Sequence, residues 1–588
     1  MSRLVKYVLR LIIIFFMIPV HAGQAYLDKF HGYLKWSSQL PTTTDPDFLS
    51  FIEFPSPLTT KLREKWLYQM AYSKRWADFH TAYRGSNDVS LQCYAQTALY
   101  NLDYKDEALK SALPLWLNGN RQPAACNTLF KLLLANNAFS VPQLQQRLTL
   151  ALEKSNHALA ITILKQLKLP QEADLLEQIH KKPTIISYLS PSMLHSEFYL
   201  YGLKLLFASN QQKAIELANK YKLSQYQQQD FIGHVALYKA IRHQPEAKQW
   251  LNQITSLNDH PVLLDWSIRS ALSDKRWDDV LKLIQISPDA QTPCWRYWRA
   301  RALQKLGDHI NANQEYEVLA KTRNYYGFLA SMRINHPLSF EEEQVVPRQD
   351  LLKLYQPITQ EIRVLYNTNQ VLAAARRLND FMSELPNDEQ STLANWVAND
   401  LHWYDRAIYL SNTPKLNNIL SLRFPIPYTD IIKISAQKNK LKPELVFAMI
   451  RQESTFRSDI ISSAGAQGIM QIMPMTARMV ANQTGIKYSG PDQLLNSEKS
   501  IEIGTAYLGK LSKQFNGHPI LMAAAYNAGP KQVRHWITYS HTSEIDLWIE
   551  TLAWPETRNY LKNILAFYAV YQHRLNETIN LTALMQEF

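Results

Sequence analysis

Glycine is scarce in this chain. Sixteen glycines in 588 residues is under half the usual share of about 7%. That disfavours glycine-rich phosphate loops and turn-dense β architectures. Cysteine is scarcer still, at three residues: Cys93, Cys126 and Cys294. No two of them have zinc-site spacing, and the 16 histidines form no HExxH-type cluster. No metal or organic cofactor is implied. No segment reaches the roughly 20 apolar residues of a membrane-spanning helix. Basic residues are not gathered into one run, which disfavours nucleic acid as a partner.

What the chain does have is helix-forming text. Hydrophobic residues make up 46% and charged residues 19%, as in a folded globular protein. Leu, Ala, Gln, Lys and Glu recur in periodic runs, so an all-α fold is expected. The length is too great for one hydrophobic core, and two to four domains are expected. Arg3, Lys6 and Arg10 precede the apolar run Leu11 to Val20, and Val20-His21-Ala22 supplies small residues for cleavage. Residues 1–22 therefore read as a cleaved secretory signal, with too few apolar residues to span a bilayer, against the alternative of an uncleaved anchor. The formal charge is +12, or +9 without those three basic residues. It suits an anionic polymer or membrane surface without choosing between them.

Residues 23–359 read as a helical superhelix. Aromatic-centred segments recur at Lys74-Arg-Trp-Ala-Asp-Phe79, Lys275-Arg-Trp-Asp-Asp-Val280 and His402-Trp-Tyr-Asp-Arg-Ala407. Tyr297-Trp-Arg-Ala-Arg-Ala-Leu303 followed by Gly307 and Tyr316 resembles a tetratricopeptide-like hairpin. The Trp separations are irregular, so each Trp reads as a packing residue of a degenerate array. Pro386, Pro414, Pro425 and Pro427 mark breaks toward a new unit. Residues 360–422 are read as a small helical linker domain and 423–588 as a C-terminal domain. In an exported protein Cys93 and Cys126 are the nearest pair for a disulfide, against three unpaired thiols.

The C-terminal domain carries the chemistry. Pro443-Glu-Leu-Val-Phe-Ala-Met-Ile-Arg-Gln-Glu453 reads as a helix with Pro and an acid in its first turn. Val446, Met449 and Ile450 fall on the face of Glu453. A carboxyl at the end of an apolar stripe favours its neutral form, and its pKa rises. A protonated acid near neutral pH is what acid cleavage of a glycosidic bond requires. The loop after it carries Ser462, Ser463, Gly465 and Gly468, then Gln471, Met473 and Pro474. The glycines admit close backbone approach or positive φ. Tyr526 and Asn527 fall at a helix end, and Trp554-Pro-Glu556 opens a long last helix.

Arg451-Gln-Glu-Ser454, Ala464-Gly-Ala-Gln-Gly-Ile-Met-Gln-Ile-Met-Pro474, Ala523-Ala-Ala-Tyr-Asn-Ala-Gly-Pro530 and Glu556-Thr-Arg558 together resemble the large soluble lytic transglycosylases of the Gram-negative periplasm. The resemblance extends more weakly through the helical part, including Arg323-Asn-Tyr-Tyr-Gly327. It implies a ring-shaped helical superhelix, a linker and a lysozyme-like catalytic domain. It also implies a disulfide at a separation like that of Cys93 and Cys126. The implied activity is cleavage of peptidoglycan glycan strands to 1,6-anhydro-muramyl products. Glu453 would then be the catalytic acid and base. Ser462, Gln471, Met473 and Tyr526 would contact the glycan, and Glu556 would bind and orient it. The location implied is the periplasm, with cell-wall enzymes as partners through the helical domain. This chain departs from the family pattern at Gln467, where a small residue is frequent, at Ile469, where Leu is usual, and at Trp554, where a small aliphatic residue is common. Two rival readings stay open. One is a lysozyme-type hydrolase, with Asp459 or Glu556 as the second carboxylate. The other is a glycan-binding scaffold.

Overall fold

The computed structural model describes residues 26–190 and 192–588, and the expected leader over residues 1–22 lies outside them. Among the described residues the regular structure is helical, apart from isolated bridges that pair Gln467 with Ile461 and with Ile472. The expected all-α class holds.

The repeat that is weak in sequence is clear in the backbone. Lys74, Asp103, Ser155, Lys168, Lys275, Asn369 and His402 all have φ between 52 and 69°. Each lies two residues before a new helix, beginning at Trp76, Lys105, His157, Pro170, Trp277, Val371 and Tyr404. A single left-handed residue ends one helix and turns the chain tightly into the next. The recurring unit is thus a turn geometry that many side chains can fill, so the Trp spacing alone is irregular.

The described residues pack as two units, those up to 231 with 354–385, and 232–353 with 386–588. These cut across the linear division at 359/360 and 422/423, because helices far apart in sequence share apolar faces. In the first unit, Tyr33 donates to Asp380 at 2.7 Å and Lys29 pairs with Glu384 at 2.6 Å. Trp116 is fully buried, stacked on Phe139 and under the Arg147 guanidinium. Burial pushes Arg147 down to about 10. Cys93 and Cys126 form a disulfide between helices Val89–Asn101 and Ala124–Ala135.

In the second unit one core runs from Leu264 to Leu584. Its C-terminal helices are α1 (Thr429–Lys438), α2 (Pro443–Glu453), α3 (Pro474–Thr484), α4 (Ser497–Gln514), α5 (Pro519–Ala528), α6 (Pro530–Thr538), α7 (Ile545–Thr551) and α8 (Pro555–Arg574). The boundaries follow local chemistry. Proline opens α2, α3, α5, α6 and α8. Asn496 caps α4, and Gly485 ends α3 at φ 73°. Helix α2 is not amphipathic as expected from its stripe. Every residue from Glu444 to Arg451 is buried, because α1 and α8 pack against it within the core.

Helix α7 brings acids into this core. Asp546 is 1% exposed, accepts from Tyr297 at 2.6 Å and pairs with Arg333 at 3.0 Å. Glu550 is fully buried between Arg269 at 3.1 Å and Lys562 at 2.9 Å, with the Tyr326 hydroxyl at 2.7 Å. Burial raises its pKa, but Lys562 and Arg269 outweigh burial and hold the carboxyl well below the usual range. Cys294, the odd thiol, is half-buried beside this cluster. Burial, with the Glu550 charge, pushes it up to about 12, so it stays an inert thiol at neutral pH.

Candidate active site

Glu453 ends α2 with its side chain half-buried. Burial pushes its carboxyl from the usual 4.5 up to about 7. A hydrogen bond from Tyr560 pulls it down, and the charge of Glu556 adds to the rise. Tyr560, on α8, donates to Oε1 at 2.6 Å. Oε2 is left to carry the proton. Burial and the neighbouring Glu453 charge push the phenols of Tyr560 and Tyr526 well above their ordinary value, so both remain donors.

The chain after Glu453 is held in unusual backbone. Thr455 and Phe456 are successive left-handed residues at φ 55 and 68°. Each costs roughly 1–2 kcal/mol, and such strain concentrates at functional sites. Burial of Phe456 in the core and two Ser454 contacts offset it. The Ser454 hydroxyl donates to Ile469 O at 2.7 Å, which ties the end of α2 to the loop carrying Ser462, Gln471 and Met473. The Met470 amide donates to Ser500 on α4 at 3.3 Å, and Tyr526 on α5 donates to Met470 O at 2.7 Å. Gly468 has φ 77°, and a Cβ there would lie 1.8 Å from Leu494 O. Only glycine fits that close approach.

The expected site residues take distinct positions. Ser462 Oγ accepts the Ala466 amide at 2.9 Å, so its O–H is not used in that bond. Gln471 is left-handed at φ 48°, and its amide donates to Ile460 O and Gly468 O at 3.1 and 2.9 Å. Its donor end is spent on the loop, and Oε1 remains to accept. Met473 is 41% exposed at the start of α3. Tyr526 is half-buried beside Tyr507, with ring centroids 5.3 Å apart. Glu556 is exposed in the first turn of α8. Asp459 is clamped by Arg457 at 2.7 and 3.2 Å, which keeps it ionised. Among the described residues Tyr560 is the hydrogen-bond partner of Glu453, and neither Asp459 nor Glu556 bonds to it.

Sequence reasoning missed Tyr560. Its signal was its place one turn after Glu556, on the same face of α8. It also missed the pair Thr557 and Asn527, whose 2.7 Å hydrogen bond ties α8 to the end of α5. The motif arginines are structural. Arg451 donates to Arg423 O at 2.9 Å, and Arg558 donates to Leu552 O at 2.6 Å, both side chains buried.

Residues 430–549 match the family described as Transglycosylase SLT domain. The soluble lytic murein transglycosylase of Escherichia coli K12 is 27% identical over 545 residues, covering 89% of this chain and 83% of that one. The structure of an inactive glutamate-to-glutamine variant of lytic transglycosylase Slt from Pseudomonas aeruginosa superposes with a TM-score of 0.80 at 28% identity, over 96% of this chain and 95% of that one. The 70 kDa soluble lytic transglycosylase of Escherichia coli shares the fold, with a TM-score of 0.73 at 24% identity over 96% and 94% of the two chains. With a desolvated acid on α2 and the pinned loop beside it, this chain is similar along nearly its whole length to the soluble lytic murein transglycosylases.

Proposed function

We propose that Glu453 alone performs both proton transfers in a lytic transglycosylase reaction on peptidoglycan. The observation that carries this is its carboxyl, pushed up to about 7 by burial and held by one phenol. Protonated Oε2 donates to the oxygen bridging N-acetylmuramic acid and N-acetylglucosamine. The bond from that oxygen to the muramyl C1 breaks, and the sugar's own N-acetyl carbonyl stabilises the oxocarbenium-like centre. The Glu453 carboxylate, steadied by Tyr560, takes the proton of the muramyl C6 hydroxyl. O6 then closes on C1 as a 1,6-anhydro end. Atoms balance without water, so no second carboxylate is needed, unlike in most glycosidases.

In this reading residues 423–588 form the catalytic domain, 23–359 the superhelical domain and 360–422 the linker. The Ser462 hydroxyl, Gln471 Oε1, the Met473 side chain, Tyr526 and Glu556 hold the glycan. Residues 1–22 direct export to the periplasm and are removed there. Among the described residues no helix is long and apolar enough to cross a membrane. The helical domain offers surface to other cell-wall enzymes. The mass of the released fragments tests the reaction. Ends lighter by one water than hydrolysed ends are expected, and a predominance of reducing ends would establish the lysozyme-type hydrolase instead.

A further inference from the structure

A cavity of about 900 Å³ opens beside the start of α8, with a lining that does not include Glu453. Helix α6 and the loop after it form one wall, Leu552 to Trp554 another, and Ile241 to Pro245 a third. All of these residues belong to the second packing unit. Its volume is that of a ligand site. Trp536 and Trp554 meet edge to face, with centroids 5.2 Å apart and planes at 90°. Trp554 is nonetheless 46% exposed, and Tyr539 is 68% exposed. Half-open aromatic rings gathered at a cavity mouth are surface kept for a partner.

The polar groups of the lining narrow the ligand class. The lining has no carboxylate, and Arg242 is its one permanent cation. The Arg242 guanidinium lies 3.6 Å over the Tyr238 ring. His243 bonds to Thr551 O at 2.9 Å, and burial pushes its pKa down, so it is neutral at pH 7. Gln532 and His535 add donors and acceptors, while the Ser540 hydroxyl is bonded to Thr542 O at 2.6 Å. Such a site fits a neutral ligand with flat C–H faces and a hydroxyl or acetamido rim, which describes an N-acetylated sugar.

We infer that this cavity is an accessory glycan subsite, in which a sugar remote from the reacting bond stacks on Trp554 and Tyr539. The inference rests on the reading of Glu453 given above. Continuity supports it. Trp554 precedes α8, Glu556 follows two residues later, and Tyr560 lies about 9 Å further along the helix axis. A strand crossing the first turn of α8 therefore spans both places.

The test uses the full chain and β-1,4-linked N-acetylglucosamine oligomers of graded length. With Glu453→Gln, long oligomers are expected to quench indole fluorescence, and adding Trp554→Leu abolishes the quenching. With Glu453 intact, the ratio of kcat/KM on long to short peptidoglycan strands is expected to fall roughly tenfold in Trp554→Leu, the size of a lost aromatic contact. The exposed Tyr539→Ala substitution lowers the same ratio without touching the core. An unchanged ratio in both folded variants overturns the subsite. So does quenching by a sugar-free stem peptide where the oligomers give none. Failure of the Glu453 reading shows separately, as fragment release by Glu453→Gln.

Discussion

The Tyr560 hydroxyl donates a 2.6 Å hydrogen bond to Oε1 of Glu453 across 107 residues of sequence. It joins the last residue of α2 to the second turn of α8. The same hydroxyl lies 3.5 Å from Met449 Sδ, one turn before Glu453. Burial and this hydrogen bond act on the carboxyl in opposite directions. Burial is the larger effect and leaves the acid titrating at about 7.

The pH profile follows. Fragment release requires protonated Glu453 and is expected to fall about tenfold per pH unit above its pKa. Glu453→Gln should lower release by roughly 10²- to 10⁴-fold. Stability has its own sign. A folded pKa raised above the ordinary value contributes stability that is present below 4.5 and lost as pH rises through about 7. The glutamine variant lacks that loss. Its Tm relative to the parent should therefore rise across this window in a thermal melt series, and a constant difference would count against a desolvated acid.

Tyr560→Phe removes the bond that favours the ionised carboxyl. The alkaline limb of the rate profile should move to higher pH. The rate at its plateau should fall roughly 10- to 100-fold, because a hydrogen bond to a charged group is worth about 1.5–3 kcal/mol. A lowered rate with an unmoved limb would mean that Tyr560 acts only through packing.

Gly468→Ala places a methyl group against Leu494 O at a φ of 77°. The loop bearing Ser462, Gln471 and Met473 must shift or the domain must lose stability, by roughly 1–3 kcal/mol. Urea titration measures the second outcome. The KM on peptidoglycan measures the first, and it should rise while the Glu453 limb stays in place.

Glu550→Gln leaves Arg269 and Lys562 without their shared carboxylate. Removing one partner of a buried ion cluster costs about 3–5 kcal/mol. In the parent, a depressed carboxyl contributes stability that is present above its unfolded pKa and lost as pH falls through the folded value. Acid unfolding monitored by circular dichroism should therefore be steeper in the parent than in the variant. Equal slopes would place the cluster outside the cooperative unit.

Much of the site was legible residue by residue. Pro443, Gly485, Asn496 and Pro555 set helix ends through fixed φ, a left-handed turn and a side-chain cap, all of which are local effects. The periodicity of Val446, Met449 and Ile450 correctly placed Glu453 against apolar neighbours. It did not reveal that Leu445, Phe447 and Ala448 are buried as well, since burial on the remaining faces depends on what packs there. Asp546 and Glu550 look like ordinary surface acids in sequence. They are core residues because Arg269, Arg301, Arg333 and Lys562 converge on them from other helices.

The sequence by itself determined the helices, their caps, the glycine-dependent loop and the acid at the end of α2, since each is fixed by interactions within a few residues. Only the tertiary structure decided the proton affinity of that acid and its partner. Desolvation and the Tyr560 hydrogen bond arise where α8 lies along α2, and no local pattern encodes that contact.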